Sequence, residues 1–99
     1  MNRNIDIPRE KIPDYCRRYH IRWLAIFGSV LRDDFGPDSD IDVLVEFHKG
    51  KEPGFLNLTR MERELTREFG RQVDLRTPED LSHLFREEVI KSAEVQYAQ

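Results

Sequence analysis

Apolar residues alternate or cluster along three short stretches of the chain, and this pattern predicts three β-strands. Residues 21–27 (IRWLAIF) are branched and aromatic, which predicts a strand covered on both faces. Residues 40–47 (DIDVLVEF) alternate, so the predicted second strand has one apolar face and one mostly acidic face. A third, short strand is predicted within residues 71–77 (RQVDLRT), where Val73 and Leu75 point away from Asp74.

Apolar residues at helical spacing predict three helices around these strands. The first begins near Pro8 or Pro13, because proline suits the first turn of a helix, and both starts remain open. The second covers residues 55–69 and ends at Gly70, and the last begins with Thr77 as its N-cap. The apolar stripes are Ile12, Tyr15, Cys16 and Tyr19 on the first helix, Phe55, Leu58, Met61, Leu65 and Phe69 on the second, and Leu81, Leu84, Phe85 and Val89 on the last.

The order of these elements predicts an α/β fold with a small mixed sheet of about three strands and with helices packed on one face. The other face is then available for a ligand. A length of 99 residues suits one domain over 1–99, with flexible ends at 1–7 and 94–99. Large aromatic residues at strand and helix spacing are expected in the core: Trp23, Phe27, Phe47, Phe55 and Phe69.

Composition narrows the classes of function. Charged residues make up 35% of the chain, the net charge is −3, and no block of Lys or Arg is present, so nucleic acid is not expected as a partner. The single cysteine, Cys16, excludes a disulfide within the chain and a cysteine-based zinc site. No apolar run is long enough to span a membrane and no signal peptide is visible, so a cytoplasmic protein is expected.

Asp40 and Asp42 stand one residue apart at the start of the second predicted strand. Aspartate is depleted in strands and like charges repel, so we expect the pair to have a functional role. Residues i and i+2 of a strand share a face, and two carboxylates on one face suit Mg²⁺, which relieves their repulsion. Asp74 is the expected third member if its strand lies beside the second one, either as a metal ligand or as a general base.

Gly28 and Ser29 lie between the first strand and a short predicted helical turn. We expect them to bind the phosphates of a substrate whose metal ion the aspartates hold. Glycine allows close approach of the backbone, and the helix N-terminus offers N–H groups to an anion. Arg32 lies one helical turn later, and Ser39 precedes the aspartates, so both are candidate nucleotide contacts. A turn-and-cap role fits Asp38 and Ser39 equally well.

Two segments carry a resemblance to a known family. Residues 28–47 (GSVLRDDFGPDSDIDVLVEF) resemble the Gly-Ser and Asp-x-Asp signature of the polymerase-beta-type nucleotidyltransferases. Together with residues 70–81 (GRQVDLRTPEDL), they make the chain most similar to the minimal nucleotidyltransferases that act as antitoxins of HEPN-domain ribonuclease toxins. The resemblance runs from about Trp23 to Ala93. In many relatives the helical turn is followed by an Arg-Gly pair. In this chain Arg32 is followed by Asp33 and Asp34 instead.

The resemblance implies a fold, cofactors and a partner. It implies a minimal nucleotidyltransferase fold, ATP as nucleotide donor, Mg²⁺ held by Asp40, Asp42 and Asp74, and transfer of AMP to a tyrosine hydroxyl of the HEPN toxin in a hetero-oligomer. Gly28 and Ser29 take the place of the phosphate-binding turn. Two alternatives stay open: an antitoxin that binds the toxin without catalysis, and a nucleotidyltransferase that acts on RNA or on a small molecule.

Overall fold

Four strands form one mixed sheet in the computed structural model, which describes residues 8–28 and 40–99. The strands are β1 (Ile21–Phe27), β2 (Ile41–Phe47), β3 (Val73–Arg76) and β4 (Glu94–Ala98). They lie side by side in the order β3-β2-β1-β4. β1 is antiparallel to both of its neighbours, and β2 is parallel to β3. The α/β class and the mixed sheet predicted from the sequence are confirmed.

Helices α1 (Ile12–Arg18) and α2 (Phe55–Phe69) cover one face of this sheet. Pro13 lies in the first turn of α1, which decides between the two predicted starts. α2 has the predicted bounds and ends at Gly70, whose φ of 71° is the left-handed conformation of a C-cap glycine. The core between this face and the helices is Ile12, Tyr15, Cys16, Ile21, Leu24, Ile26, Ile41, Val43, Val45, Phe47, Met61, Leu65, Phe69, Val73 and Leu75.

The last residues of the chain form a strand, so the sheet has four strands where about three were predicted, and the predicted flexible end at 94–99 is wrong. β4 pairs antiparallel with β1, and Ile26 is the register partner of Glu94. Tyr97 packs against the core while Val95 stays half-exposed. Val95 and Tyr97 are residues that strands favour, but a five-residue segment forms a stable strand only by pairing, here with β1. The predicted flexible end at 1–7 lies outside the described residues.

The segment after β3 also differs from its prediction. Thr77 and Asp80 form a capping box around a single 3₁₀ turn, Pro78–Asp80, after which Leu81 is extended and interrupts the helix. The last helix, α3 (Arg86–Ser92), begins only after this interruption. Because the predicted stripe is split in this way, two of its members, Leu84 and Phe85, are exposed.

The predicted core aromatics divide between three environments. Phe47 and Phe69 are buried as expected. Trp23 and Phe27 are only half-buried, and the burial pattern of β1 turns them away from α1 and α2. Phe55 is 79% exposed, because the first turn of α2 does not reach the core cluster.

In the described part of the chain, no helix has the length and apolar character that crossing a membrane requires.

Candidate active site

The second face of the sheet, opposite α1 and α2, brings two of the predicted site residues together. Val43 and Leu75 belong to the core cluster, so the alternation of each strand turns Asp42 and Asp74 to the other side. β2 and β3 are parallel, and Asp42 is the direct register partner of Asp74. Neighbouring strands lie about 4.8 Å apart, so the two carboxylates leave the sheet next to each other.

The end of β1 approaches the same point from the other side. Phe27 is the register partner of Asp42, and Gly28 follows it with a φ of 79°. A Cβ atom built on Gly28 would overlap the carboxylate of Asp42, and it would lie 3.1 Å from the Asp42 Cγ. Two features of position 28 therefore favour glycine: its left-handed backbone, and the closeness of the Asp42 carboxylate to any side chain placed there.

Arg76 is a charged neighbour of this acidic pair that the sequence analysis did not identify. It lies two residues after Asp74 on the same face of β3, and its Nη2 is 3.0 Å from Asp74 Oδ2. The Asp74 hydrogen bond and charge raise the pKa of the Arg76 guanidinium, and the charges of Asp80 and Asp42 add to this effect. The sequence did contain a signal for this neighbour, because residues i and i+2 of a strand share a face and Arg76 follows Asp74 by two positions.

The remaining predicted site residues divide into two groups. Asp40 lies one residue before β2 and is exposed, outside the register pair that Asp42 and Asp74 form. Ser29, Arg32 and Ser39 lie outside the described residues, and so does the predicted helical turn.

The donor chemistry of the acidic pair fits a hard cation. Mg²⁺ is usually held by one or two carboxylates, with waters and substrate phosphates as its other ligands. Asp42 and Asp74 supply two carboxylates on neighbouring strands. Within residues 8–28 and 40–99, no three His, Cys, Asp or Glu side chains gather as a set that holds a metal. The arrangement therefore fits Mg²⁺ that arrives with a nucleotide better than a cation enclosed by protein ligands alone.

The comparison with protein families identifies the chain. The model of the nucleotidyltransferase domain matches residues 9–95, and the chain belongs to this family. A protein of Methanocaldococcus jannaschii that is described as a protein adenylyltransferase is 33% identical over 90 residues, which are 91% of this chain and 95% of that protein.

Solved structures agree with this assignment. A structure described as a minimal nucleotidyltransferase is 34% identical, with a TM-score of 0.70 over 86% of this chain and 85% of that one. A toxin–antitoxin complex with AMP-PNP has a TM-score of 0.75 at 18% identity, over 94% of this chain and 75% of that one. A complex of a tri-AMPylated HEPN toxin from Shewanella oneidensis with its MNT antitoxin has a TM-score of 0.61 at 18% identity, over 92% and 70%. At 18% identity the last two show the fold alone, and the predicted minimal nucleotidyltransferase fold is confirmed.

Proposed function

We propose that this chain is a nucleotidyltransferase antitoxin that acts as one domain and transfers AMP from ATP to a tyrosine hydroxyl of a cognate HEPN ribonuclease toxin. The observation that carries the proposal is the pairing of Asp42 with Asp74 on the face of the sheet that α1 and α2 leave uncovered. The contact between the end of β1 and Asp42 adds a turn of backbone beside these carboxylates, where a phosphate group can approach.

The relatives support the choice of donor and acceptor. The Methanocaldococcus jannaschii relative is described as a protein adenylyltransferase and is matched over 95% of its length, which favours a protein as acceptor. One structural neighbour contains AMP-PNP, and another contains an AMPylated HEPN toxin beside its antitoxin. ATP as donor and a HEPN toxin as partner follow from these neighbours by analogy.

In the proposed reaction, Asp40, Asp42 and Asp74 would hold Mg²⁺ together with the phosphates of the bound nucleotide, and the ion would supply Lewis acidity at those phosphates. Gly28, Ser29, Arg32 and Ser39 contact the nucleotide. The tyrosine oxygen attacks the α-phosphorus of ATP and forms a new O–P bond. The bond from this phosphorus to the bridging oxygen breaks, and pyrophosphate leaves. Asp74 serves either as a ligand or as the base that takes the hydroxyl proton.

Two rival functions are weaker. A nucleotidyltransferase that acts on RNA would benefit from a basic surface, whereas this chain has a net charge of −3. An antitoxin that binds without catalysis would not need two carboxylates as register partners on the face opposite α1 and α2.

Labelling with ATP carrying radioactive α-phosphate tests the proposal. The protein is incubated with Mg²⁺, the labelled ATP and a HEPN-domain protein encoded beside it, at one molecule of enzyme to many of acceptor. We expect label on the HEPN protein, located to a tyrosine by mass spectrometry, and its loss in Asp42→Asn and Asp74→Asn. Asp14→Asn is the matched control, because Asp14 is an exposed aspartate of α1. Label on RNA or a small molecule, or equal neutralisation of the toxin by Asp42→Asn, would overturn the proposal.

A further inference from the structure

β3 is an edge strand of only four residues, and α2 holds its outer edge. One side of β3 pairs with β2, which leaves the N–H groups of Val73 and Leu75 pointing outward. Unpaired N–H groups along an edge usually face water or another strand. Here the Val73 N–H donates to Thr66 Oγ1 at 3.0 Å, and the Leu75 N–H donates to Glu62 Oε2 at 2.8 Å. Both acceptors are side chains of α2.

The spacing of the two acceptors matches the spacing of the two donors. Residues i and i+4 of a helix lie on one face, about 6 Å apart along the axis. Residues i and i+2 of a strand lie about 6.6 Å apart. The Thr66 hydroxyl also donates to the backbone oxygen of Glu62 at 2.9 Å, which directs its lone pairs toward β3. Glu62 and Thr66 can therefore accept hydrogen bonds from both outward N–H groups of β3 at the same time.

Asp74 lies between these two hydrogen bonds. We propose that Glu62 and Thr66 are positioning residues for Asp74, and this inference rests on the proposed function. A slip of β3 by one residue would turn Asp74 into the core and Leu75 onto the acidic face. A short parallel pair resists such a slip poorly, because parallel pairing is slightly weaker per residue. The two bonds from α2 fix both the register and the tilt of β3, and with them the distance between Asp74 and Asp42.

Two pairs of variants separate the hydrogen bonds from the packing of these side chains. Glu62→Met and Thr66→Val remove the acceptor and keep most of the volume. Glu62→Gln and Thr66→Ser keep an acceptor oxygen and serve as matched controls. The measurements are kcat and KM for AMP transfer, Mn²⁺ affinity of the whole chain, and hydrogen exchange of the Val73 and Leu75 amides.

We expect Glu62→Met and Thr66→Val to lower kcat about 10- to 100-fold, the usual effect of removing a group that orients a ligand, while the KM for ATP stays within a few-fold. Exchange of the Leu75 amide accelerates in Glu62→Met, and that of the Val73 amide in Thr66→Val. Glu62→Gln and Thr66→Ser keep most of the wild-type rate. If Glu62→Met does not fold, Thr66→Val carries the comparison alone.

Equal activity of the Met and Gln variants, or of the Val and Ser variants, would overturn the inference. Mn²⁺ affinity distinguishes this failure from a failure of the proposed function. If the wild-type chain transfers no AMP but binds Mn²⁺, a weaker affinity in Glu62→Met than in Glu62→Gln still supports the positioning role, and equal affinities overturn it.

Discussion

Asp42 on β2 and Asp74 on β3 are direct register partners in a parallel strand pair, and both lie on the face of the sheet opposite α1 and α2. They are 32 positions apart in the chain, and only the placement of β3 beside β2 makes them neighbours. Two carboxylates this close destabilise the sheet unless a cation or a hydrogen-bond donor compensates their charge. Arg76 Nη2 lies 3.0 Å from Asp74 Oδ2, and the charge of Arg76 also interacts with that of Asp42.

Gly28→Ala tests the contact between the end of β1 and Asp42. We expect a loss of about 1–2 kcal/mol in the free energy of unfolding from the left-handed backbone, and a further loss of about 1–3 kcal/mol from overpacking against Asp42. Urea unfolding measures both. Gly70→Ala is the matched control, since Gly70 has a φ of 71° but no atom near its Cβ position. Only Gly28→Ala should also weaken Mn²⁺ binding, and equal losses in the two variants would contradict the contact.

Arg76→Gln tests the competition between a side-chain cation and a metal for Asp74. Removing the guanidinium should raise Mn²⁺ affinity about 1.4- to 5-fold, because a half-exposed ion pair is worth roughly 0.2–1 kcal/mol. Isothermal titration calorimetry measures the change. Arg22→Gln removes a comparable ion pair with Glu46, 3.0 Å long, and should leave the affinity unchanged. A fall in Mn²⁺ affinity in Arg76→Gln would show that the interpretation is wrong.

Leu65→Ala tests the packing of α2 against the sheet. Leu65 is 2% exposed and belongs to the core cluster, so its truncation should cost about 2–5 kcal/mol of unfolding free energy. Leu56→Ala on the same helix should change stability by less than about 0.5 kcal/mol, because Leu56 is 84% exposed. Chemical denaturation followed by circular dichroism compares the two. A large loss in Leu56→Ala would indicate that this side chain is covered in solution.

Cys16 gives a prediction for alkaline pH. Burial raises the pKa of the Cys16 thiol to about 12 in the folded chain. The folded state therefore holds this proton more tightly than the unfolded state, and stability is lost as pH rises from the unfolded pKa toward the folded one. We expect the unfolding free energy to fall above about pH 9 more steeply than in Cys16→Ala, by about 1.4 kcal/mol per pH unit.

Denaturant titrations at several pH values measure the two slopes. Burial also raises the pKa of Tyr15, but Tyr15 is present in both proteins, so the difference between the slopes belongs to Cys16. Identical slopes would mean that the thiol titrates as it does in the unfolded chain.

Local pattern was enough to predict most elements of the fold. β1 and α2 have the bounds that apolar runs, helical spacing and the Gly70 cap predicted. The alternation in β2 and β3 also predicted which face carries Asp42 and Asp74. These features depend on residues within a few positions of each other, and local sequence records them directly. The 3₁₀ turn at Pro78–Asp80 was missed because a capping box signals the start of either helix type.

By itself, the sequence determined β1, β2 and β3, the helix α2 and the side of β2 and β3 that bears the acidic residues, because these follow from local periodicity. Tertiary structure alone decided that β3 lies parallel to β2 with Asp74 beside Asp42, that Gly28 contacts Asp42, and that β4 completes the sheet. These are contacts between segments far apart in the chain. Their register depends on burying the apolar faces of all the strands and of α2 together, which no single segment encodes.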